Sequence, residues 1–424
     1  MFCLFQMIND SDRKNEEIDF KVTKKSYPRI NNGNVLEFIF ERDPNLFMRK
    51  NKIAIHGSIA LDSGYVIENG FASKLFSMLT VELNSQIITK NLNRLFYFVI
   101  QFVHKAFRGE YFLSDYITKM GNFDSSMIDT GFYIEGYVDN YNCDADEFST
   151  EGGADVMTNR QWGRYKADGK IIYEFVIIPS HGFLASPDLL VRNCEIKLSF
   201  DRTSPELVLL EGSDVTTAVG KTITIENCYA MVEYVSSPDY RSLYDSIDQM
   251  PFIYHYDDID ITIKNIPENQ TDVRFDNLRG GNVPDYMFIG IIPKKNLVGN
   301  KLTSCTGFKH QKVSEMNISF NGNSVNGYPL FINKGSVIYP MQRFLDCTGQ
   351  LYNAAIGKTL TGPEFEYNFL WSHKFEAEMS EQGWVGVNLT FETVPSEPMA
   401  LVVFSIYETA FSIDKFLQVE KIKL

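Results

Sequence analysis

Apolar and polar residues alternate with a period of two along several short stretches of this chain. Leu36, Phe38 and Phe40 take one side while Glu37 and Glu41 take the other. Ile196, Leu198 and Phe200 alternate with Glu195, Lys197 and Ser199, and Ile259, Ile261 and Ile263 with Asp260, Thr262 and Lys264. Met316, Ile318 and Phe320 enclose Asn317 and Ser319, and Val385, Val387, Leu389 and Phe391 enclose Gly386, Asn388 and Thr390. Side chains on a strand point to opposite faces in turn, so this pattern predicts half-buried β-strands. A second kind of stretch is apolar on both faces: Ile171 to Ile178, Met287 to Ile292 and Leu401 to Ile406. These suit central strands covered on both sides. The mixture predicts packed antiparallel sheets, as in sandwiches and jelly rolls.

Few stretches carry helical spacing. Leu92, Leu95, Phe96, Val99, Ile100, Val103 and Phe107 do, which predicts an amphipathic helix of about 20 Å. Short helices are also predicted near Tyr240 to Gln249 and near Tyr339 to Asp346.

The order of the elements repeats. A strand ending Val81-Glu82-Leu83-Asn84-Ser85 precedes the apolar helix of the first half. A strand ending Ile318-Ser319-Phe320-Asn321-Gly322 precedes the helix near Tyr339 in the second. Further on, Ile196 to Asp201 matches Val387 to Glu392. An apolar strand follows each, Ala230 to Tyr234 and Val403 to Glu408. Asn84 to Leu198 spans 114 residues and Asn321 to Leu389 spans 68, so the first copy carries about 46 more. The polar, acidic stretch 140–170 is the best candidate for that insertion, and an excursion of this length predicts a surface loop with a contact role. The join between copies falls at Ser236 to Pro251, where a Ser-Ser-Pro-Asp turn leads into a short polar helix that ends at proline. Two units of about 235 and 190 residues result, each large enough for its own core.

Composition narrows the function. Of 424 residues, 44% are hydrophobic and 22% charged, which is ordinary for a folded protein. The 33 Phe and 22 Tyr favour sheet. The net charge of −14 argues against a protein whose main surface grips nucleic acid, because that surface needs clustered Lys and Arg. The chain start, MFCLFQMIND, lacks the basic region and cleavage site of a secretory signal. The longest apolar run, Leu95 to Val103, is too short for a membrane span. Cys3, Cys143, Cys194, Cys228, Cys305 and Cys347 are scattered, as expected of free thiols in a reducing compartment. Without a signal, the four glycosylation sequons at Asn9, Asn269, Asn317 and Asn388 read as chance, and Asn317 and Asn388 fall in predicted strands.

No catalytic constellation emerges. Gly220-Lys221-Thr222 and Gly357-Lys358-Thr359 lack the first glycine of a phosphate-binding loop, where Val215 and Tyr352 stand. His255, Asp257, Asp258 and Asp260 read as a solvated strand start, since Asp257 points away from Asp258 and Asp260. Asp144, Asp146 and Glu147 lack the glycine and distal glutamate of a calcium loop. The pairs Glu364/Glu366 and Glu376/Glu378 read as solvent-facing strand residues, and His104 and His373 as structural histidines. The sequence therefore predicts no enzyme, no catalytic, metal-binding or cofactor-binding residues and no cofactor.

Five segments carry a resemblance to a known family. These are Leu75 to Thr89 (LFSMLTVELNSQIIT), Gly182 to Val191 (GFLASPDLLV) and Pro284 to Ile292 (PDYMFIGII), then the cluster Phe308-Lys309-His310, Val313-Ser314-Glu315, Asn321-Gly322, and finally Pro329-Leu330. Their order over residues 30–420 resembles the double jelly-roll, hexon-like major capsid proteins of Maverick/Polinton elements and adintoviruses. Two features depart from that pattern: the spacer before Phe308 lacks an aspartate-rich turn, and the segment near Gly349 is short.

The resemblance implies an all-β fold of two tandem eight-stranded jelly rolls with a few short helices. Residues 1–30 would form an N-terminal arm that includes Lys21, Lys24, Lys25 and Arg29. Residues 31–238 would be the first jelly roll, with a long insertion near 108–170. Residues 239–251 would be a linker helix and 252–424 the second jelly roll. The implied function is structural: a homotrimer forming a pseudo-hexameric capsomer that tiles an icosahedral shell around double-stranded DNA. Its partners would be neighbouring capsomers, penton and other minor capsid proteins, and a candidate inner membrane, with no sequence-specific contact to nucleic acid. Its place would be the virion, after assembly in the host nucleus or cytoplasm. The alternatives are a carbohydrate- or receptor-binding jelly roll and a minor capsid protein of the vertex, which has one jelly roll.

Overall fold

A computed structural model of the chain describes residues 20–31, 35–62, 66–67, 71–89, 164–167, 170–177, 179, 181–186, 188–210, 223–236, 250–297, 308–332, 336–349, 365, 369–375 and 382–422. The first half carries twelve strands: β1 (Phe20–Ser26), β2 (Arg29–Asn31), β3 (Val35–Phe40), β4 (Phe47–Asp62), β5 (Val66–Ile67), β6 (Phe76–Leu83), β7 (Gln86–Ile87), β8 (Arg164–Ala167), β9 (Lys170–Ile177), β10 (Ile196–Arg202), β11 (Leu209–Leu210) and β12 (Thr224–Ser236). Two helical turns, α1 (Phe71–Lys74) and α2 (Gly182–Ala185), join them. The second half carries β13 (Phe252–Ile266), β14 (Asp272–Asn282), β15 (Tyr286–Pro293), β16 (Val313–Phe320), β17 (Asn323–Ser324), β18 (Leu330–Phe331), β19 (Trp371–Lys374), β20 (Gln382–Phe391), β21 (Met399–Ile413) and β22 (Val419–Ile422), with helices α3 (Lys294–Leu297) and α4 (Ile338–Cys347).

The pairing shows one topology used twice. The first half forms the sheets β1-β12-β4-β9-β8 and β2-β3-β10-β6-β7. The second forms β13-β21-β15-β19 and β14-β20-β16-β17, with β22 beside β21 and β18 beside β16. Let the eight principal strands of each half be numbered from one to eight, β1, β3, β4, β6, β7, β9, β10, β12 and β13, β14, β15, β16, β17, β19, β20, β21. Both halves then read one-eight-three-six in one sheet and two-seven-four-five in the other. Two facing antiparallel sheets in this order make a jelly roll, and the chain contains two.

Local sequence explains the strands. On β3 the burial alternates strictly, with Leu36, Phe38 and Phe40 inside. On β10 Ile196, Leu198 and Phe200 face the core, while Lys197 lies outside between Glu37 and Glu82, 3.4 Å from each. That charged triplet spans three neighbouring strands, with Glu82 directly opposite Lys197 and Glu37 diagonal to it, so it favours this pairing over a one-residue slip. The two-sided stretches are central strands: β15 is buried from Tyr286 to Ile292 and lies between β21 and β19. Phe344 of α4 packs edge-on to Phe288, with ring centres 5.8 Å apart. At Gly290 the ring of Phe308 occupies the place of a side chain, since an added Cβ would lie 2.3 Å from it. The helix expected near Tyr339 to Asp346 is α4.

Several expectations change. Part of the arm, residues 1–30, is a strand: β1 pairs with β12 from Phe20↔Ser236 to Ser26↔Ala230 and is the first strand of the first sandwich. Its basic residues are held in place. Lys21 and Arg49 both bind Glu233, Lys24 binds Asp43, and Lys24 and Lys25 lie over the rings of Tyr234 and Tyr229. On β13 only Ile259 of the three alternating isoleucines is buried, and Ile261 and Ile263 are partly covered. The repeat also shifts by two residues. Ile196 pairs with Leu83, and Val385 pairs with Phe320, each one residue before the turn asparagine, so Ile196 corresponds to Val385 rather than Val387. The helices expected at 92–107 and 240–249, and most of the stretch 140–170, lie outside the described residues. Within 140–170, residues 164–167 form β8, which hairpins onto β9.

Candidate functional site: the seam between the two sandwiches

The residues tested for chemistry do not converge. His255 is exposed, with Nδ1 3.4 Å from a Glu408 carboxylate oxygen. Asp257 and Asp258 are buried at 5% and 7% exposure, so this is not the solvated strand start that the sequence suggests. The strand is covered on both faces here because the first sandwich packs against it. Among the described residues no group of three His, Cys, Asp or Glu is placed to hold a metal ion, and no helix is long and apolar enough to cross a membrane. Cys194 and Cys347 are buried free thiols, and burial pushes their pKa values up to about 12 and about 11. Both Gly-Lys-Thr triplets, the acidic group at 144–147, the glutamate pairs 364/366 and 376/378, and His104 lie outside the described residues.

What the fold does build is a buried seam. Tyr254 and Tyr256 of β13, with Phe411 and Ile413 of β21, belong to the hydrophobic core of the first sandwich, not the second. They meet α2. The ring of Phe183 packs edge-on against Tyr254, Tyr256 and Phe411, at 5.8, 6.1 and 5.0 Å between centres. Gly182 lies so close to β13 that an added Cβ would sit 1.8 Å from the Asp257 carbonyl oxygen. Only glycine permits that approach.

Several polar groups in the seam are matched, while both ring nitrogens of His181 find no hydrogen-bond partner among the described residues. The Tyr254 hydroxyl donates to the Leu189 carbonyl at 3.0 Å and accepts from the Val191 amide at 3.1 Å. The Tyr256 hydroxyl donates to the Ile88 carbonyl at 3.2 Å, and the Asn84 side-chain amide donates to the Leu417 carbonyl at 3.0 Å. Lys50, 1% exposed, donates to the Ser186 carbonyl at 2.7 Å and lies over the rings of Phe183 and Tyr254. A contact that buries aromatic rings and satisfies hydroxyls in both directions fixes one orientation between the sandwiches. The segment Gly182 to Val191, which carries part of the family resemblance, supplies much of it.

Buried His373, and half-buried His181 with both ring nitrogens shielded from solvent, predict acid sensitivity. Burial depresses the pKa of His181 to about 4, and His181 sits at the N-terminal end of α2 with its ring 5.6 Å from that of Tyr256. Burial, aided by Arg343, depresses His373 to about 4 as well, between the rings of Tyr328 and Phe375. In the unfolded chain each titrates near 6.5, so below that pH the unfolded state binds more protons than the native state. Stability is therefore full above about pH 6.5 and falls as the pH drops toward 4, by up to about 3 kcal/mol for each histidine. Glu233 adds to this: burial raises its pKa, but bonds from Lys21 and Arg49 outweigh that and lower it overall. Thermal unfolding of the wild type and of H181Q/H373Q between pH 7.5 and 4.5 checks this. The wild type should lose stability steeply and the double variant less so; equal slopes would contradict it.

No protein-family profile matches this sequence, and no curated protein matches it. Solved structures do. The chain is similar to a protein in the cryo-EM structure of the Sputnik virophage, with 10% identity and a TM-score of 0.63, over 97% of this chain and 91% of that one. It is similar to the Faustovirus major capsid protein, with 8% identity and a TM-score of 0.59 over 94% and 91% of the two chains. It is also similar to the mavirus major capsid protein, with 11% identity and a TM-score of 0.53 over 97% and 91%. The likeness runs through both sandwiches rather than one, so the chain has the double jelly-roll fold of these viral capsid proteins.

Proposed function

We propose that this chain is a major capsid protein, a structural subunit and not an enzyme, and that three copies form a pseudo-hexameric capsomer of a shell around double-stranded DNA. One observation carries the reading: two jelly rolls of identical strand order are locked together by a buried seam. A rigid pair of like blocks gives two corners of a six-cornered tile, and three pairs complete it. The sheets make the block stiff, and the connections between strands are free to vary. The long first-copy connection between β7 and β8, which includes the acidic stretch 140–163, then serves as an outward tower or a clasp onto a neighbour. Residues 1–19, ahead of β1, serve as the arm that reaches a neighbouring subunit, a minor capsid protein or an inner membrane. The acidic balance of the chain suits a shell that encloses DNA without gripping it. The lineage closest to this reading is that of the Maverick/Polinton and adintovirus capsid proteins, and the place of action is the virion, with penton proteins and other capsomers as partners.

An obligate trimer contact should bury on the order of 2,000 Å² or more. Native mass spectrometry of the purified full chain should therefore give three chain masses. A stable monomer at micromolar concentration would contradict the proposal.

A further inference from the structure

The outer face of the sheet β14-β20-β16-β17 carries an indole that the fold does not require. Trp384 on β20 is 48% exposed, whereas Trp371 is buried. The backbone of Trp384 holds the turn after β16: Asn321 donates its amide to the Trp384 carbonyl at 3.0 Å and accepts the Trp384 amide on Oδ1 at 3.0 Å. The first sandwich makes the same two bonds between Asn84 and Glu195, at 3.0 and 2.9 Å. Glutamate thus serves in the place of Trp384, and the turn geometry needs no tryptophan. An indole left in water forgoes a large burial energy, so its placement calls for another reason.

The surroundings of the ring supply one. Gly280 lies directly opposite Trp384 on β14, and Gly386 lies two residues along β20 on the same face. Neither has a side chain to cover the indole. A Cβ at Gly280 would meet only the side-chain amide of Asn277, at 3.4 and 3.7 Å, so that amide borders the same face. Asn282 and Gln382 stand opposite each other on this face, both exposed, and Asn321 closes it on the β16 side. Among the described residues the amides of Asn277, Asn282 and Gln382 make no side-chain hydrogen bond, and the Asn321 side-chain nitrogen makes none. None of these four side chains is charged.

We propose that this face binds neutral oligosaccharides, with Trp384 as the platform for a pyranose ring. A pyranose presents C–H bonds on its flat face and hydroxyls around its edge. The C–H face packs on the indole, and the side-chain amides, which both donate and accept, bond the hydroxyls. Diagonal neighbours on one face of a sheet lie about 7–8 Å apart, so the amides border a sugar seated on Trp384. Uncharged partners select a neutral ligand, since a charged sugar would lose its hydration here without gaining a counter-charge. An open sheet face admits several sugars of an extended chain. This binding needs no trimer, although on a shell many copies would multiply a weak contact.

Cellohexaose, mannohexaose and N-acetyllactosamine, each titrated to millimolar concentration into the full chain and followed by ligand-observed NMR, test this. At least one should bind saturably. W384A should weaken that binding about tenfold or more, as the loss of a stacking ring does, and W384F, which keeps a ring, should weaken it less. F416A removes another exposed ring and should leave binding intact; cooperative unfolding of each variant confirms that it folds. Acrylamide should still quench Trp384, read as the difference in fluorescence between wild type and W384F, after the protein assembles. Failure of all three sugars to bind, equal affinity in wild type and W384A, or equal weakening by W384A and F416A would overturn the proposal. Loss of the quenching on assembly would mean that another copy covers the face, and would overturn it as well. Trimers that form while no sugar binds would leave the capsid reading standing and this one refuted.

Discussion

Alanine at Gly182 should disconnect the two sandwiches. The new methyl carbon would lie 1.8 Å from the Asp257 carbonyl oxygen and 2.8 Å from the carbonyl carbon. Both atoms are backbone, on a strand paired along its length with β21, so no rotamer change relieves the clash. Either α2 lifts away from β13, taking Phe183 out of its aromatic pocket, or β13 bends and loses ladder bonds. Overpacking of this kind should cost about 3 kcal/mol or more. The natural comparison is Gly322→Ala, where φ is +85° but nothing stands within 4 Å of the new atom, so that only backbone strain of about 1–2 kcal/mol applies. In calorimetry G182A should unfold well below both the wild type and G322A, with the single transition broadened or split as the sandwiches melt apart. A G182A midpoint equal to that of the wild type would refute the seam as described.

The second large effect belongs to Phe183. Its ring is fully buried and touches the rings of Tyr254, Tyr256 and Phe411, all three from the second sandwich. Removing it leaves a cavity bounded by Phe411 and by the two tyrosines, whose hydroxyls are tied to Leu189, Val191 and Ile88. Those bonds hold the walls apart, so the site cannot collapse to refill the space. Phe183→Ala should therefore cost about 3–5 kcal/mol, the upper part of the range for buried aromatics. Denaturant unfolding monitored by tyrosine fluorescence reads this directly. A loss below about 1 kcal/mol would mean that the ring does not bridge the two cores.

Where strands kept a strict period of two, the residues alone located them. Those of β3, β10, β16 and β20 lie where the alternation places them, and the two-sided stretches became β9, β15 and β21. Other strands carried less of this signal, and of β12 only Ala230 to Tyr234 was legible as an apolar strand, for physical reasons. β12 shifts register against β4 between Glu226 and Tyr229 and again between Met231 and Glu233. β4 itself buries Lys50, whose charge is met by a carbonyl and two rings, and so it reads as polar. β14 is irregular between Phe275 and Arg279 and contains two adjacent glycines. β1 looked like a basic arm because its partners, Glu233, Asp43, Tyr234 and Tyr229, are remote in sequence.

The seam was legible only as a motif. Gly182 to Val191 stood out by resemblance, but nothing in one sequence says that Gly182 faces Asp257 across the fold. The polar letters His255, Asp257 and Asp258 suggested solvent, but with the first sandwich packed against β13 the two aspartates are buried. The Asn84 and Asn321 turns show the opposite case. Their shared Asn and preceding apolar strand were visible as a repeat, and the structure adds that both asparagines bind the start of the seventh strand in the same way.

Electron microscopy of the purified protein, imaged in negative stain without particle assembly, tests the central claim most directly. Class averages should show one species with three-fold symmetry and six near-equal lobes around its rim, two from each chain. Single-lobed particles, or two-lobed monomers that never close into a ring, would contradict it.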